Sequence, residues 1–149
     1  MTFDHYGHLT PYAIIETDLS TIEQAFVKEF PESATRSAIF TEYLAYLNQL
    51  KSIIGATGFY QWMDGSFITQ VQQPNDIDVI TFVDWQIHRQ YGSRLEVLRT
   101  EKVDSNYGIH YPTNHKYHPL YLYEREDWIE IFGSTKDGKY PKGIIQINF

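Results

Sequence analysis

The sequence predicts an α/β (α+β) fold: a single unit over residues 1–149 with a mixed β-sheet flanked by helices. Three observations predict it. Helix-like and strand-like segments interleave along the chain instead of falling into separate blocks. Between Ser33 and Ile54 the apolar residues Ile39, Phe40, Tyr43, Leu44, Leu47, Leu50 and Ile54 recur at spacings of three and four. The run "DIDVITFV", starting at Asp76, is rich in β-branched residues and suits an inner strand. With 149 residues and 42% hydrophobic content, the chain can bury one core, and no repeat, low-complexity tract or Gly/Ser linker marks a boundary.

The elements follow in order. "LTPYAIIETD" reads as an extended edge segment, with Pro11 where a missing donor is tolerated. Ser20 and Glu23 form a capping-box pattern that predicts a short helix ending before Pro31. The long helix over 33–54 stops at Gly55. "GFYQWM" alternates like a strand and runs into Asp64-Gly65-Ser66, after which residues 67–75 leave room for a short helical turn. "DIDVITFV" then forms the second strand, with Asp84 as N-cap of a helix through "WQIHRQY" and a separate helical stretch over 93–103, divided at Gly92-Ser93. "NYGIHY" alternates again, with Gly108 and His110 on one face. A helix around "EREDWIEIFG", a Lys-bearing loop and the strand "IIQINF" complete the chain.

Charge and composition narrow the function classes. The net charge of -7 opposes non-specific attraction to a long polyphosphate, so a long nucleic acid is not the expected partner. Without cysteine there are no disulfides and no thiolate metal sites. The N-terminal residues carry no signal-peptide pattern, and no apolar run approaches the ~18 residues of a membrane span. A cytoplasmic protein with no membrane association is the expectation.

Two carboxylates stand inside the second strand. Residues i and i+2 of a strand point the same way with Cα atoms about 7 Å apart, so Asp76 and Asp78 project together while Ile77 and Val79 pack behind. Held that close, the two anions raise each other's pKa unless a cation sits between them. Hard oxygen donors suit Mg²⁺ or Mn²⁺, whose shell substrate phosphates complete, as phosphoryl and nucleotidyl transfer require. Gly65-Ser66 suits the same chemistry from the other side, since glycine admits close approach of a phosphate and the turn offers a hydroxyl. Each dipeptide alone is an ordinary turn; their spacing carries the signal.

These residues resemble the nucleotidyltransferases of the DNA polymerase beta superfamily, whose signature is Gly-Ser followed by Asp-x-Asp, here Gly65-Ser66 and Asp76-Ile77-Asp78. With "GHLTPY", "DGSF", "PNDIDV" and "PKGIIQ", nearly the whole chain resembles a small bacterial group with this fold. The resemblance implies metal-dependent transfer of a nucleoside monophosphate from an NTP to a hydroxyl, with Ser66 on the triphosphate and Asp76 and Asp78 on the metal. It also implies a third carboxylate on a later strand. The best-placed strand, "YGIHY", presents His110 instead, which can accept a proton near pH 7 but is a poor Mg²⁺ ligand. Asp104 or Glu101 would fill the position under a shifted register.

The His110 departure keeps a second reading open: a degenerate nucleotidyltransferase-fold protein that binds or regulates, for example one member of a toxin–antitoxin-like pair. An interaction domain with surface acids is the blandest account. The stretch holding Lys136, Lys139 and Lys142 reads as a solvated loop or as a reach toward the triphosphate, Lys142 being the candidate. His110, His115 and His118 lack the tight pairing of zinc ligands, and His5 and His8 lie in a terminal segment. A protein partner or homodimer could complete a domain this small.

Overall fold

The computed structural model describes residues 1–149 and shows a mixed α/β architecture. A two-stranded hairpin, β1 (Thr2–Phe3) with β2 (Leu9–Thr10), precedes β3 (Ile14–Thr17) and the short helix α1 (Leu19–Glu23), which runs on as a π-helical turn over Gln24–Lys28. Then come α2 (Arg36–Ile54), β4 (Tyr60–Asp64), a single 3-10 turn (Ser66–Ile68), β5 (Ile77–Asp84), α3 (Trp85–Glu96), β6 (Val103–His110), α4 (His118–Phe132) and β7 (Ile144–Asn148). The main sheet has the order β3-β7-β4-β5-β6, with β4 antiparallel to both neighbours and β5 parallel to β6 across the α3 crossover.

Strand alternation divides the core. Ile77, Val79 and Val83 of β5, with Ile145 and Ile147 of β7, pack under α2 in the larger cluster, which also holds Ile39, Tyr43, Leu47 and Leu50. Phe149 packs against it, on the face shared with Ile145 and Ile147. The opposite face carries Trp62, Ile80, Phe82 and Ile144, covered by Phe132 of α4. On that same face the alternation continues outward to Asp64, Asp78 and Asp104 at one end of the sheet and to Asp84 and His110 at the other.

Several boundaries differ from expectation for local reasons. The first helix is capped by Asp18, whose carboxylate accepts from the Thr21 N–H at 2.7 Å, so the start lies ahead of the Ser20 capping box. The helix after β5 runs unbroken through Gly92-Ser93, a glycine costing a helix only about 1 kcal/mol, and residues 97–102 are not helical. Asp84 caps it as expected, accepting from the Gln86 N–H at 3.0 Å. The third central strand begins at Val103, three residues before "NYGIHY".

One cationic side chain lies wholly inside this framework. Arg36, at the first turn of α2, is 1% exposed. Its guanidinium donates to the carbonyls of Phe26 (3.0 Å), Phe67 (2.5 Å), Thr69 (2.7 Å) and Val71 (2.5 Å), and lies 3.9 Å from the Phe30 ring centroid. Burial pulls its pKa down to about 10, which leaves it charged at neutral pH. Arg36→Met keeps length but removes every donor, leaving four inward carbonyls without their partner. A loss of about 3 kcal/mol or more is expected. It would be read as a lowered urea midpoint together with faster amide exchange over residues 66–71.

Candidate active site

The starts of β5, β6 and β7 and the end of β4 converge at one end of the sheet. Antiparallel pairing sets Asp64 opposite Asp78, and parallel pairing sets Asp78 opposite Asp104. The chain leaves β4 through Gly65 at φ 87°, ψ -174°, a conformation essentially confined to glycine. A Cβ there would stand 2.7 Å from Oδ2 of Asp78, so glycine is required twice, for its backbone and for the approach of the carboxylate. Ser66 follows at the head of the 3-10 turn, whose exit is tied back by Thr69 Oγ1 donating to the Ser66 carbonyl at 2.7 Å.

Gly65, Ser66, Asp64, Asp78, Lys136 and Lys142 line one cleft of about 590 Å³. Its other walls are the end of α4, through Glu130 and Phe132, and the N-terminal hairpin, through Tyr6, Gly7 and His8. That hairpin is fixed in place: Asp4 accepts from the backbone N–H groups of Tyr6 and His8, and the Gly7 carbonyl accepts from the Gln70 N–H at 3.0 Å. The cleft's placement beside Gln70 brings the first ten residues to the site, a contribution invisible in a terminal segment that carries no motif.

The electrostatics are those of crowded acids. The Asp78 carboxyl is pushed up, chiefly by burial and then by the charges of Asp76 and Asp104, while Lys136 and Lys142 pull it down. Asp76, half-buried one residue before β5, thus acts on the same locus. Asp64 is raised to about 6 by burial, against the opposing pull of Lys142, whose Nζ lies 2.8 Å from Oδ1. Lys142 itself is little exposed, so it is a cleft residue and not part of a solvated loop.

His110 does not join this group. It pairs with Asp84, six residues along β5 from Asp78, which at ~3.3 Å per residue puts it about 20 Å away. There its ring packs edge-on against Tyr121 of α4. The position facing Asp78 on β6 belongs to Asp104, because the strand starts earlier than its aromatic alternation indicates. His110 is therefore not a residue of this cleft, contrary to the alternation of "YGIHY". His115 and His118 lie apart from it as well, His115 against Trp85 and Tyr111, His118 against the Tyr111 carbonyl.

Fold and cleft together define a small α/β domain with an acid cluster facing a glycine-serine turn across the head of two parallel strands. A family model matches residues 1–148, and the chain belongs to that family, DUF6932, a family of unknown function. No curated protein and no solved structure matches the chain. No helix is long and apolar enough to cross a membrane.

Two outcomes are expected. Gly65→Ala should cost about 1–3 kcal/mol in thermal or urea unfolding, and should displace the Asp78 carboxylate. For Asp64 the folded pKa lies above the unfolded value of 3.8, so between pH 6 and 4 the native state binds a proton that the unfolded chain does not. Its contribution to stability thus rises as pH falls through that window. Relative to Asp64→Asn, the wild type should gain up to about 3 kcal/mol between pH 7 and 4, measured as paired urea titrations.

Proposed function

We propose that this protein binds a nucleoside triphosphate with a divalent cation and transfers the nucleoside monophosphate to an acceptor hydroxyl. The observation that supports this reading is the double register at the head of β5: Asp78 faces the Gly65-Ser66 turn on one side and Asp104 on the other. Asp78, pushed up by burial and by the charges of Asp76 and Asp104, is a donor whose crowding a hard cation such as Mg²⁺ or Mn²⁺ relieves. No three acids or histidines are gathered closely enough to hold an ion alone, so phosphate oxygens of the substrate belong to its shell.

In this reading Asp76 and Asp78 would hold the cation together with phosphate oxygens of the substrate, and it would supply positive charge against the phosphate being transferred. Ser66 donates its hydroxyl to a phosphate oxygen, and Lys136 and Lys142 attract the rest of the triphosphate. Asp104 accepts the proton of the acceptor hydroxyl. The acceptor oxygen bonds to the α-phosphorus, the bond from that phosphorus to the bridging oxygen breaks, and pyrophosphate leaves. To bind phosphate, Lys142 must exchange or share its contact with Asp64.

A second reading is a nucleotide-holding regulatory protein without turnover, in which Lys142 stays on Asp64 at 2.8 Å and lends no charge to the phosphate that would be transferred. Incubation with α-labelled NTPs, Mg²⁺ or Mn²⁺ and cell extract separates the two. Transfer predicts label on an acceptor, reduced about 100-fold or more in Asp104→Asn and in the Asp76→Ala/Asp78→Ala pair, and within about twofold of wild type in His110→Ala. If wild type labels nothing beyond the paired variant yet binds an NTP analogue with Mn²⁺ by calorimetry, the regulatory reading replaces it. Absence of both label and heat would refute both.

A further inference from the structure

A second cleft opens at the far end of the same parallel pair, beyond the last residues of β5 and β6. Crevices outside the carboxyl ends of parallel strands are where α/β sheets recurrently bind ligands. This one encloses about 430 Å³, within the range of small-molecule sites. It lies about 20 Å from Asp78, so it is not an arm of the first cleft.

Its walls combine two chemistries. Trp85 opens α3 and faces His115 at 4.6 Å between ring centroids, with Tyr111 4.8 Å from the same imidazole and Tyr117 5.6 Å from it. Tyr117 is 44% exposed, so its ring is available to a ligand. Arg89 and Lys116 add fixed positive charge, Lys116 with its Nζ 4.8 Å from the Tyr117 centroid. His115 Nδ1 accepts the Tyr117 N–H at 3.0 Å, which in the neutral ring leaves the hydrogen on Nε2, a donor with no protein partner. No acidic side chain lines the cleft, although the chain carries -7 overall; the neighbouring Asp84 accepts the Gln86 N–H at the helix start. The first cleft, by contrast, contains Asp64, Asp78 and Glu130.

We infer that this second cleft binds a planar aromatic anion of nucleotide size, its ring against the Trp85, His115 and Tyr117 side chains and its phosphate on Arg89 and Lys116. Rings alone would accept any flat apolar molecule, and cations alone any phosphate. Both within one cavity select a base that carries phosphate, either a free nucleotide or the end of a nucleic acid strand. The inference does not depend on the proposed reaction, since no residue is shared between the two clefts.

Titration of the full chain with AMP in EDTA, read by calorimetry and by tryptophan emission, tests it. AMP should bind in the submillimolar range, and adenosine about tenfold or more weaker. Arg89→Ala with Lys116→Ala should weaken AMP by about tenfold or more; both side chains are exposed, so folding should be unaffected. The Asp76→Ala/Asp78→Ala pair should bind AMP like wild type, and Trp85→Phe should bind it while losing most of the emission change. A 5′-phosphorylated dinucleotide that binds about tenfold tighter than AMP assigns the cleft to strand ends, and equal affinity assigns it to free nucleotides. Absence of AMP binding up to about 10 mM would overturn the inference. So would AMP binding that survives the Arg89/Lys116 variant and is lost in the Asp76/Asp78 variant.

Discussion

The cleft floor exists because one guanidinium is buried in the protein. Isolated, a cation inside a protein is expensive, and the depressed pKa of Arg36 records that cost. Four carbonyls and the face of Phe30 offset it. Three of those carbonyls, from Phe67, Thr69 and Val71, belong to the segment that leaves Ser66. That segment has only one turn of helix of its own and few backbone partners, so its shape is imposed from α2. A lysine could not do this, having no planar fork to reach carbonyls at four points. The Gly65-Ser66 turn is thereby held against β5 independently of anything bound there.

Charge organises the two ends of the sheet in opposite senses. At the head of β5 acids accumulate, and two lysines from the segment before β7 come in to compensate them. Past the ends of β5 and β6, imidazoles, an arginine and a lysine stand among aromatic rings. The first lies on the sheet face that α4 covers with Phe132, whereas the second is lined by Ile109, the partner of Val83 on the α2 side. Between the two, β5 is buried without interruption from Val79 to Val83.

Much of this was legible in the residues because alternation is a local property. The i, i+2 spacing of Asp76 and Asp78, the glycine before Ser66, the end of the long helix at Gly55 and the cap at Asp84 all follow from neighbours within four positions. The identity of the third acid did not. Asp104 and His110 have the same parity on β6, so a period-two pattern admits both. What decides between them is the stagger of β6 along β5. That stagger is set at a distance, by the Lys102 carbonyl accepting from the Ile77 N–H at 2.9 Å. Asp64 is illegible for a related reason: its carboxyl is distinguished only by Lys142, 78 positions later, packed against it. The fold class depended on periodicity and was accessible; pairings between distant segments were not.

The strand order carries a consequence for how the chain comes into being. Of the five strands in the main sheet, β7 is the last to leave the ribosome, yet it lies between β3 and β4. Until it emerges, β3 has no partner in that sheet and β4 offers an open edge to any passing extended segment. A nascent chain can assemble β4, β5 and β6 early, but it must keep a gap beside them. Translation speed and chaperone occupancy over the final stretch therefore bear on whether the gap is filled by its own strand or by a stranger.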